Sequence, residues 1–577
     1  MSSPSTPGPR FDIRQIPFSH FGSWFALSPV TGNARYADDV HLVSHQQGMH
    51  AVLSLHPTAE SRIEATPACL SWLAADGGGG GGGDGRRIDA AYESPDTLRL
   101  RGNSLGLELA VAAPALTPFT GTYLYRDPVD GSFVFTSYET GRRYRVTVLA
   151  GHVTVEGDQA LGASARSLTI EPSPTWEIAV EEYRAGRAPY AVTDSFDEVE
   201  RRAARAFAEF ADRVARWRDV RTAPAAELAA YVLWSATVGP AGFLPRPAVL
   251  MSKHWMDKVW SWDHCFNALA VVAGEPELAW HQFLLPFDHQ DETGALPDSV
   301  THSEVLYNYV KPPIHGWTLD RLSQHTGIPD TKDVYESLER WTEYWLDRRA
   351  PGSPLPHYHH GNDSGWDNAT TFDEARIVES ADLSAFLVLQ MHTLAALAAE
   401  LGDPQRAARW TVRADELLDA LLETLWTGER FAARIVETGE LRTSGSLLDT
   451  MPIVLGDHLP EAVHSKLAAR IAEHLTEHGP ATEHPDSPAY AADGYWRGPI
   501  WAPSTMLIED GLRRAGHTEL ADTISRRFRL LCETSGFAEN FDAHTGAGQR
   551  DRAYTWTAST YLILARAAVK AGATRTP

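Results

Sequence analysis

The chain of 577 residues has little cysteine, a deficit of positive charge and few long apolar runs, and each shortage removes a class of protein. Its cysteines are Cys69, Cys265 and Cys532. Three is an odd number and none stands at a metal-type spacing from another, so neither a disulfide framework nor a zinc site is indicated. Lys and Arg total 51 against 75 Asp and Glu, a net charge of −24. That balance repels nucleic acid and anionic membranes, and it argues against a polyanionic substrate. No apolar run reads as a membrane span, and Met1–Arg10 is Ser/Pro-rich without an apolar h-region, so the cytoplasm is the expected compartment. No fixed period recurs, which argues against a superhelical repeat. Gly77–Gly83 is an unbroken glycine run with no Lys-Ser/Thr pair and no helical pattern after it. It reads as a dispensable flexible hairpin tip or disordered loop, not a phosphate cradle.

Aromatic residues, in contrast, are plentiful. There are 18 Trp and 18 Tyr, many beside Asp, Gly, Pro or His. Indole has an apolar face and one N–H donor, which suits it to the face of a sugar ring, although large helical cores also use Trp as filler.

The patterning divides the chain near residue 190. Before it, short alternating segments separated by turn residues predict strands at Val40–Ser44, Ala51–Leu55, Leu98–Leu100, Gly121–Tyr125, Ser132–Thr136, Tyr144–Ala150 and Trp176–Glu181. They indicate an N-terminal antiparallel, β-sandwich-like domain over 1–190. From 191 to 577 the period is helical, starting with an amphipathic segment opened by Ser195. Helix after helix joined by Gly/Pro/Asp/His/Trp-rich loops predicts a mainly α protein. The expected arrangement is a closed (α/α)6 barrel of helical hairpins with its polar, aromatic loops gathered at one end, where function concentrates.

Four loop segments set a carboxylate or an Arg beside Trp. They are Trp260–His264, Gln290–Asp298, Gly361–Asn368, and Tyr495–Trp501 taken with Glu539–Asp542. Two carboxylates flanking an oxocarbenium-like centre, with aromatic walls and hydrogen-bond partners for hydroxyls, are what glycoside cleavage requires. Each segment alone is equally a packed Trp with a turn Asp. His357-Tyr358-His359-His360 looks like a metal tract, but no carboxylate stands at a matching helical spacing, so it reads as a subsite wall or lid, and neither a metal nor another cofactor is expected.

Gly365-Trp366-Asp367-Asn368, Trp262-Asp263, Tyr495-Trp496-Arg497-Gly498-Pro499 and Glu539-Asn540-Phe541-Asp542 with Thr545-Gly546 resemble glycoside hydrolase family sixty-three. That family holds processing α-glucosidase and bacterial mannosylglycerate and glucosylglycerate hydrolases, and the motifs are also similar to those of trehalases. The resemblance runs in motif order from about Trp234 to the C-terminus. It implies the (α/α)6 barrel and inversion by single displacement, with Asp367 as general acid and Glu539 as general base. Asp542 is the nearest competitor for the second role. Trp262, Asp263, Gln290, Trp366, Asn368, Arg497, Trp501 and Trp556 are the expected substrate contacts. The chain departs from the family at Asp363, where Glu is common, at Ala369-Thr370 in place of Ser-Pro, and at Tyr554-Thr555-Trp556-Thr557 in place of Phe-Gly-Trp-Ser. Those departures touch the substrate more than the chemistry.

The expected activity is therefore exo-hydrolysis of a small α-glucoside, a disaccharide or glucosyl conjugate, with α-mannosides and glycosylglycerates as the alternative. Rival classes are a sugar phosphorylase, which would show orthophosphate dependence, and a carbohydrate-binding protein without turnover. An epimerase on the same kind of barrel would use paired His, where these loops offer carboxylates.

Overall fold

A computed structural model describes residues 8–32, 35–75, 85–113 and 115–574. Gly77–Gly83 lies outside them. The chain forms two compact units. One comprises Met1–Arg216, Ala230–Asp257 and Thr301–Ser303, and the other Trp217–Ala229, Lys258–Val300 and Glu304–Pro577. The compact units thus interleave along the chain instead of dividing where strands give way to helices.

The first unit is built on β1 (Phe25–Gly32), β2 (Arg35–Ser44), β3 (His50–Pro57), β4 (Ser61–Ala65), β5 (Leu70–Ala74), β6 (Arg87–Ser94) and β7 (Thr97–Asn103). It continues with β8 (Leu107–Val111), β9 (Thr122–Arg126), β10 (Phe133–Ser137), β11 (Arg142–Ala150), β12 (Val153–Glu156), β13 (Ser167–Ile170) and β14 (Trp176–Tyr183). They form two antiparallel sheets, ordered β1-β2-β3-β8-β13-β12 and β4-β5-β6-β7-β14-β11-β10-β9. Alternation buries one face of each sheet. Leu53 and Leu55 of β3, Leu107 and Leu109 of β8, Leu98 and Leu100 of β7, and Ile178 and Val180 of β14 meet in one core. Gly102 makes room in it, because a Cβ there would stand 2.1 Å from the Trp176 indole. All seven strand segments read from alternation coincide with observed strands, and two of them start one residue early, at Gly121 and Ser132. Helix α1 (Phe196–Val214) follows. The Ser195 side chain accepts from Glu198 N at its start, and Phe196, Val199, Ala203, Phe207, Phe210 and Val214 form one buried stripe that packs on β6.

Helix α2 (Ala223–Ala236) is shared between the units. The second unit then holds α3 (Asp263–Val271), α4 (Pro276–Leu284), α5 (His315–Ser323), α6 (Thr331–Glu343), α7 (Ala381–Glu400), α8 (Pro404–Leu425), α9 (Glu461–Glu473), α10 (Ala502–Arg514), α11 (Thr518–Ser535) and α12 (Thr555–Thr574). A kinked, tightly wound segment, Leu447–His458, lies between α8 and α9. Pairwise packing runs α3 on α5, α5 on α7, α7 on 447–458, that segment on α10, α10 on α12, and α12 back on α3. A second set lies against these: α4 on α3, α6 and α8 on α7, α9 on 447–458, and α11 on α10 and α12. Burial follows the same division. Every residue of α3 is buried, whereas α8 buries only Trp410, Ala414, Leu417, Leu421 and Leu425, a single stripe at helical spacing.

The apolar character of α7 has the same origin. By length and composition this helix could cross a membrane, contrary to the expectation that no span-length apolar run exists, but 83% of its most apolar window is buried within the protein. Its all-round hydrophobicity matches a position packed on several sides.

Candidate active site

Three non-local pairings assemble the loops of the second unit. Val259 and Trp260 pair with Val300 and Ser299, and Ser261 N donates to Asp298 O, which sets the Trp262-Asp263 turn beside Asp298. Ile500 and Phe541 exchange backbone hydrogen bonds of 2.7 and 3.0 Å, which brings Tyr495–Trp501 against Glu539. Asn368 joins the remaining segment. Its side chain donates to Gly494 O at 3.0 Å and accepts from Trp496 N at 3.0 Å, while its own carbonyl accepts from Arg497 Nε at 2.7 Å.

The indoles interlock behind these turns. Trp496 and Trp501 stack at 4.1 Å with 6° between their planes, and Trp366 lies 4.6 Å from Trp496. Trp556 meets Trp501 and Trp262 edge-on. Trp262, Trp366, Trp501 and Trp556 are each 4% exposed or less, so they serve as packed walls and not as open platforms. Gly365 permits this closeness. It adopts a positive φ of 72°, and a Cβ there would stand 2.5 Å from the Trp262 ring.

Asp263, Asp298, Asp367, Glu539 and Asp551 lie in this region with Lys311 and Arg550. Asp263, the first residue of α3, is buried with Oδ2 unpartnered, and burial pushes its carboxyl up to about 8. Lys311 stands 3.2 Å from Asp298 and donates to Asn362 O at 2.8 Å. Asp367 is half-buried, and burial raises its carboxyl against the opposing pull of Lys311. Glu539 is 2% exposed. Burial, and then the neighbouring Asp551, push it up to about 8, while Arg550, the Asp551 backbone N–H and the Tyr495 hydroxyl act against that rise. Tyr495 links the set, since Glu539, Asp367 and Asp263 all act electrostatically on its hydroxyl. Its φ of 63° and that of Arg550, 59°, are both left-handed, and the guanidinium lies 5.0 Å from the Tyr495 ring centroid. Two non-glycine residues held in this conformation, on separate loops that meet here, mark local backbone strain of the kind found at functional sites.

Several polar residues singled out from the sequence are engaged by the protein itself. Gln290 Nε2 donates to Gly294 O and Ser337 O, leaving its buried Oε1 unpartnered. Arg497 pairs with Asp373 besides bonding Asn368 O. Asp363 accepts from Val310 N and His359 N and pairs with Arg349. Asp542 Oδ1 accepts from both His544 N and Thr545 N within its own turn, which commits that oxygen to local structure. Among the described residues no group of three or more His, Cys, Asp or Glu could hold a metal, and His357 and His359 contact each other, their Nε2 atoms 3.3 Å apart.

Sequence reasoning missed Lys311, Arg550 and Asp551 and gave Tyr495, Asp298 and Tyr554 no role. Only the run Arg550-Asp551-Arg552, so close to Glu539, offered a local signal.

Buried carboxyls gathered at the loops of a mainly helical unit suit a hydrolase-type site. The mannosylglycerate hydrolase MGH1-like glycoside hydrolase domain matches residues 256–557, and the chain belongs to that family of glycoside hydrolases. A mannosylglycerate hydrolase of Thermus thermophilus is 30% identical over 399 residues, covering 53% of this chain and 94% of its own. One from Rubrobacter radiotolerans is 25% identical over 405 residues, covering 52% of this chain and 89% of its own. A bacterial glucoamylase complexed with acarbose shares the fold across 99% of this chain and 96% of its own, with a TM-score of 0.64 at 11% identity.

Proposed function

We propose that the chain is an inverting, exo-acting hydrolase of a small α-glycoside, with Asp367 as general acid and Glu539 as general base. The observation that carries this reading is that the Ile500–Phe541 pairing and the Asn368 hydrogen bonds bring the Asp367 and Glu539 segments to the same Tyr495–Trp501 loop, where both carboxyls act electrostatically on Tyr495. Asp367 protonates the glycosidic oxygen as the bond to the anomeric carbon breaks. A water attacks the opposite face and gives its proton to Glu539, so the anomeric centre inverts. The elevation of the Asp367 carboxyl suits a proton donor. Glu539 must be ionised to act, and Arg550 and Tyr495 are placed to favour that form. Asp263, with one oxygen unpartnered, is the best-placed contact for a sugar hydroxyl. The closed circuit of helix pairs supports reading the second unit as an (α/α)6 barrel.

The names of the relatives favour a glycosylglycerate as substrate over the α-glucoside suggested by the motifs alone, with mannose or glucose as the glycone. Release of glucose and mannose from glucosylglycerate, mannosylglycerate and α-linked disaccharides separates these, and early-time NMR reads the first anomer. A β-anomer released first is expected. An α-anomer released first would withdraw the mechanism.

A further inference from the structure

The β-rich unit has a polar cavity of about 570 Å³. Trp24, Gln46, Asp96, Arg142, Glu182 and Arg184 line it, beside the backbone of Gly22 and Gly239, which are joined by a 2.9 Å hydrogen bond. Its charges do not cancel. Asp96 is neutralised by Arg187 at 2.7 Å. Arg142 donates to Gln46 and lies 3.5 Å from His302 Nε2, and no carboxylate of the described residues comes within ion-pair distance of it. Arg184 is exposed and has no polar partner among the described residues. These two guanidiniums repel one another, and with burial they hold His302 below its ordinary range. In a chain with a net charge of −24, carboxylate partners for two arginines are abundant, yet at this cavity neither is in an ion pair among the described residues. Behind them Glu182 is buried, its Oε2 without a hydrogen-bond partner. Burial pushes that carboxyl up to about 7, so it is largely protonated below neutrality and offsets the arginines only partly.

We propose that this cavity binds a small organic anion, a carboxylate or phosphate carried on a hydroxylated scaffold, with Arg142 and Arg184 clamping the charged group. The guanidinium fork matches both oxyanions, and a charge-assisted pair of bonds is the strong form of such a contact. Glu182 faces the scaffold's hydroxyls through its unpartnered Oε2, Gln46 accepts from Arg142 and donates to Glu182 Oε1 and so ties the two together, and Trp24 covers one side. The site uses none of the carboxyls placed in the hydrolytic centre.

Calorimetric titration of the full chain with inorganic phosphate, D-glycerate and glycerol at constant ionic strength tests this. Phosphate or glycerate is expected to bind with a Kd below about 10 mM, and glycerol is not. Arg184→Ala, an exposed position that leaves the core intact, should weaken the anion roughly tenfold or more. Arg142→Gln should do the same, while turnover in Arg184→Ala stays at the wild-type level. Binding of phosphate alone would assign a phosphate ester, and binding of glycerate would assign a carboxylate. The proposal is overturned if neither anion binds, or if binding is unchanged in Arg184→Ala, since the anion would then sit elsewhere.

Discussion

Replacing Glu539 by Gln should abolish hydrolysis and at the same time stabilise the fold, increasingly so as pH rises. Burial holds the carboxyl at about 8 against an ordinary value of 4.5. A folded-state pKa above the unfolded one means that the folded chain retains a proton the unfolded chain gives up. The sign follows directly. Below about pH 4.5 the side chain is neutral in both states and the penalty is absent. As pH rises through the window to about 8, the fold must either hold the proton or bury a charge, and stability is lost. At about 1.4 kcal/mol per unit, the loss is about 3 kcal/mol at pH 7 and approaches about 5 kcal/mol above pH 9. Gln keeps the shape and stays neutral throughout, so it escapes that loss. For a cooperative unit of about 330 residues, 3 kcal/mol corresponds to roughly 4 °C in Tm. Scanning calorimetry of both proteins at pH 5, 7 and 9 should show a gap that widens with pH. A gap that is flat across the three, or a Gln variant less stable at pH 9, would refute the claim that Glu539 is held in a desolvated, electrostatically hostile position.

Three further outcomes follow from the same geometry. Asp367→Asn should lower kcat by about 10²–10⁴, the usual worth of a positioned general acid, with sugar binding retained in calorimetry, and near wild-type turnover would withdraw its role. Arg550→Ala removes a cation that lowers the Glu539 pKa, so the limb of the kcat/KM–pH profile that lies near pH 8 should move to higher pH, and a limb that stays in place would dissociate it from Glu539. Gly365→Ala adds a Cβ 2.5 Å from the Trp262 ring at a φ of 72°. It should destabilise by about 1–3 kcal/mol and reduce turnover, read by denaturant melts and rates.

The strands were legible because one buried face imposes a period of two, as in Leu98 and Leu100 of β7. Helix α8 was legible for the matching reason, a single stripe from Trp410 to Leu425. Helix α3 was hidden because all nine of its residues are buried and no polar face betrays its period. Helix α5 was hidden for a related reason, since it buries His315, Gly316, Trp317, Thr318, Leu319 and Leu322 and leaves only Asp320, Arg321 and Ser323 as a short polar edge. At the site, the motif carboxyls stood out by their Trp neighbours, but the supporting charges did not. Lys311 meets Asp298 only after the chain has turned through Val305 and Leu306, and Tyr495 reaches Glu539 only through the Ile500–Phe541 pairing. Asp542 and Asp363 show the reverse. Asp542 looks like a candidate base until its Oδ1 is seen to accept two N–H groups of its own turn, and Asp363, which stands out as a departure from the family pattern, is held by Val310 N, His359 N and Arg349.

The closing contact of the helix circuit also has a consequence for how the protein is made. Ser559 of α12 donates to Asn267 of α3 across a separation of 292 residues. On a ribosome, α3 therefore waits with its buried surface unmatched until nearly the whole catalytic unit has been synthesised. Glu539 emerges only shortly before that last helix, so the carboxyl that must be desolvated and the wall that completes the unit arrive together. A nascent chain stalled short of α12 would carry both Asp367 and Glu539 but lack the Trp556 wall and still present an open seam, which makes the interval before α12 emerges the step at which chaperone capture or aggregation is decided.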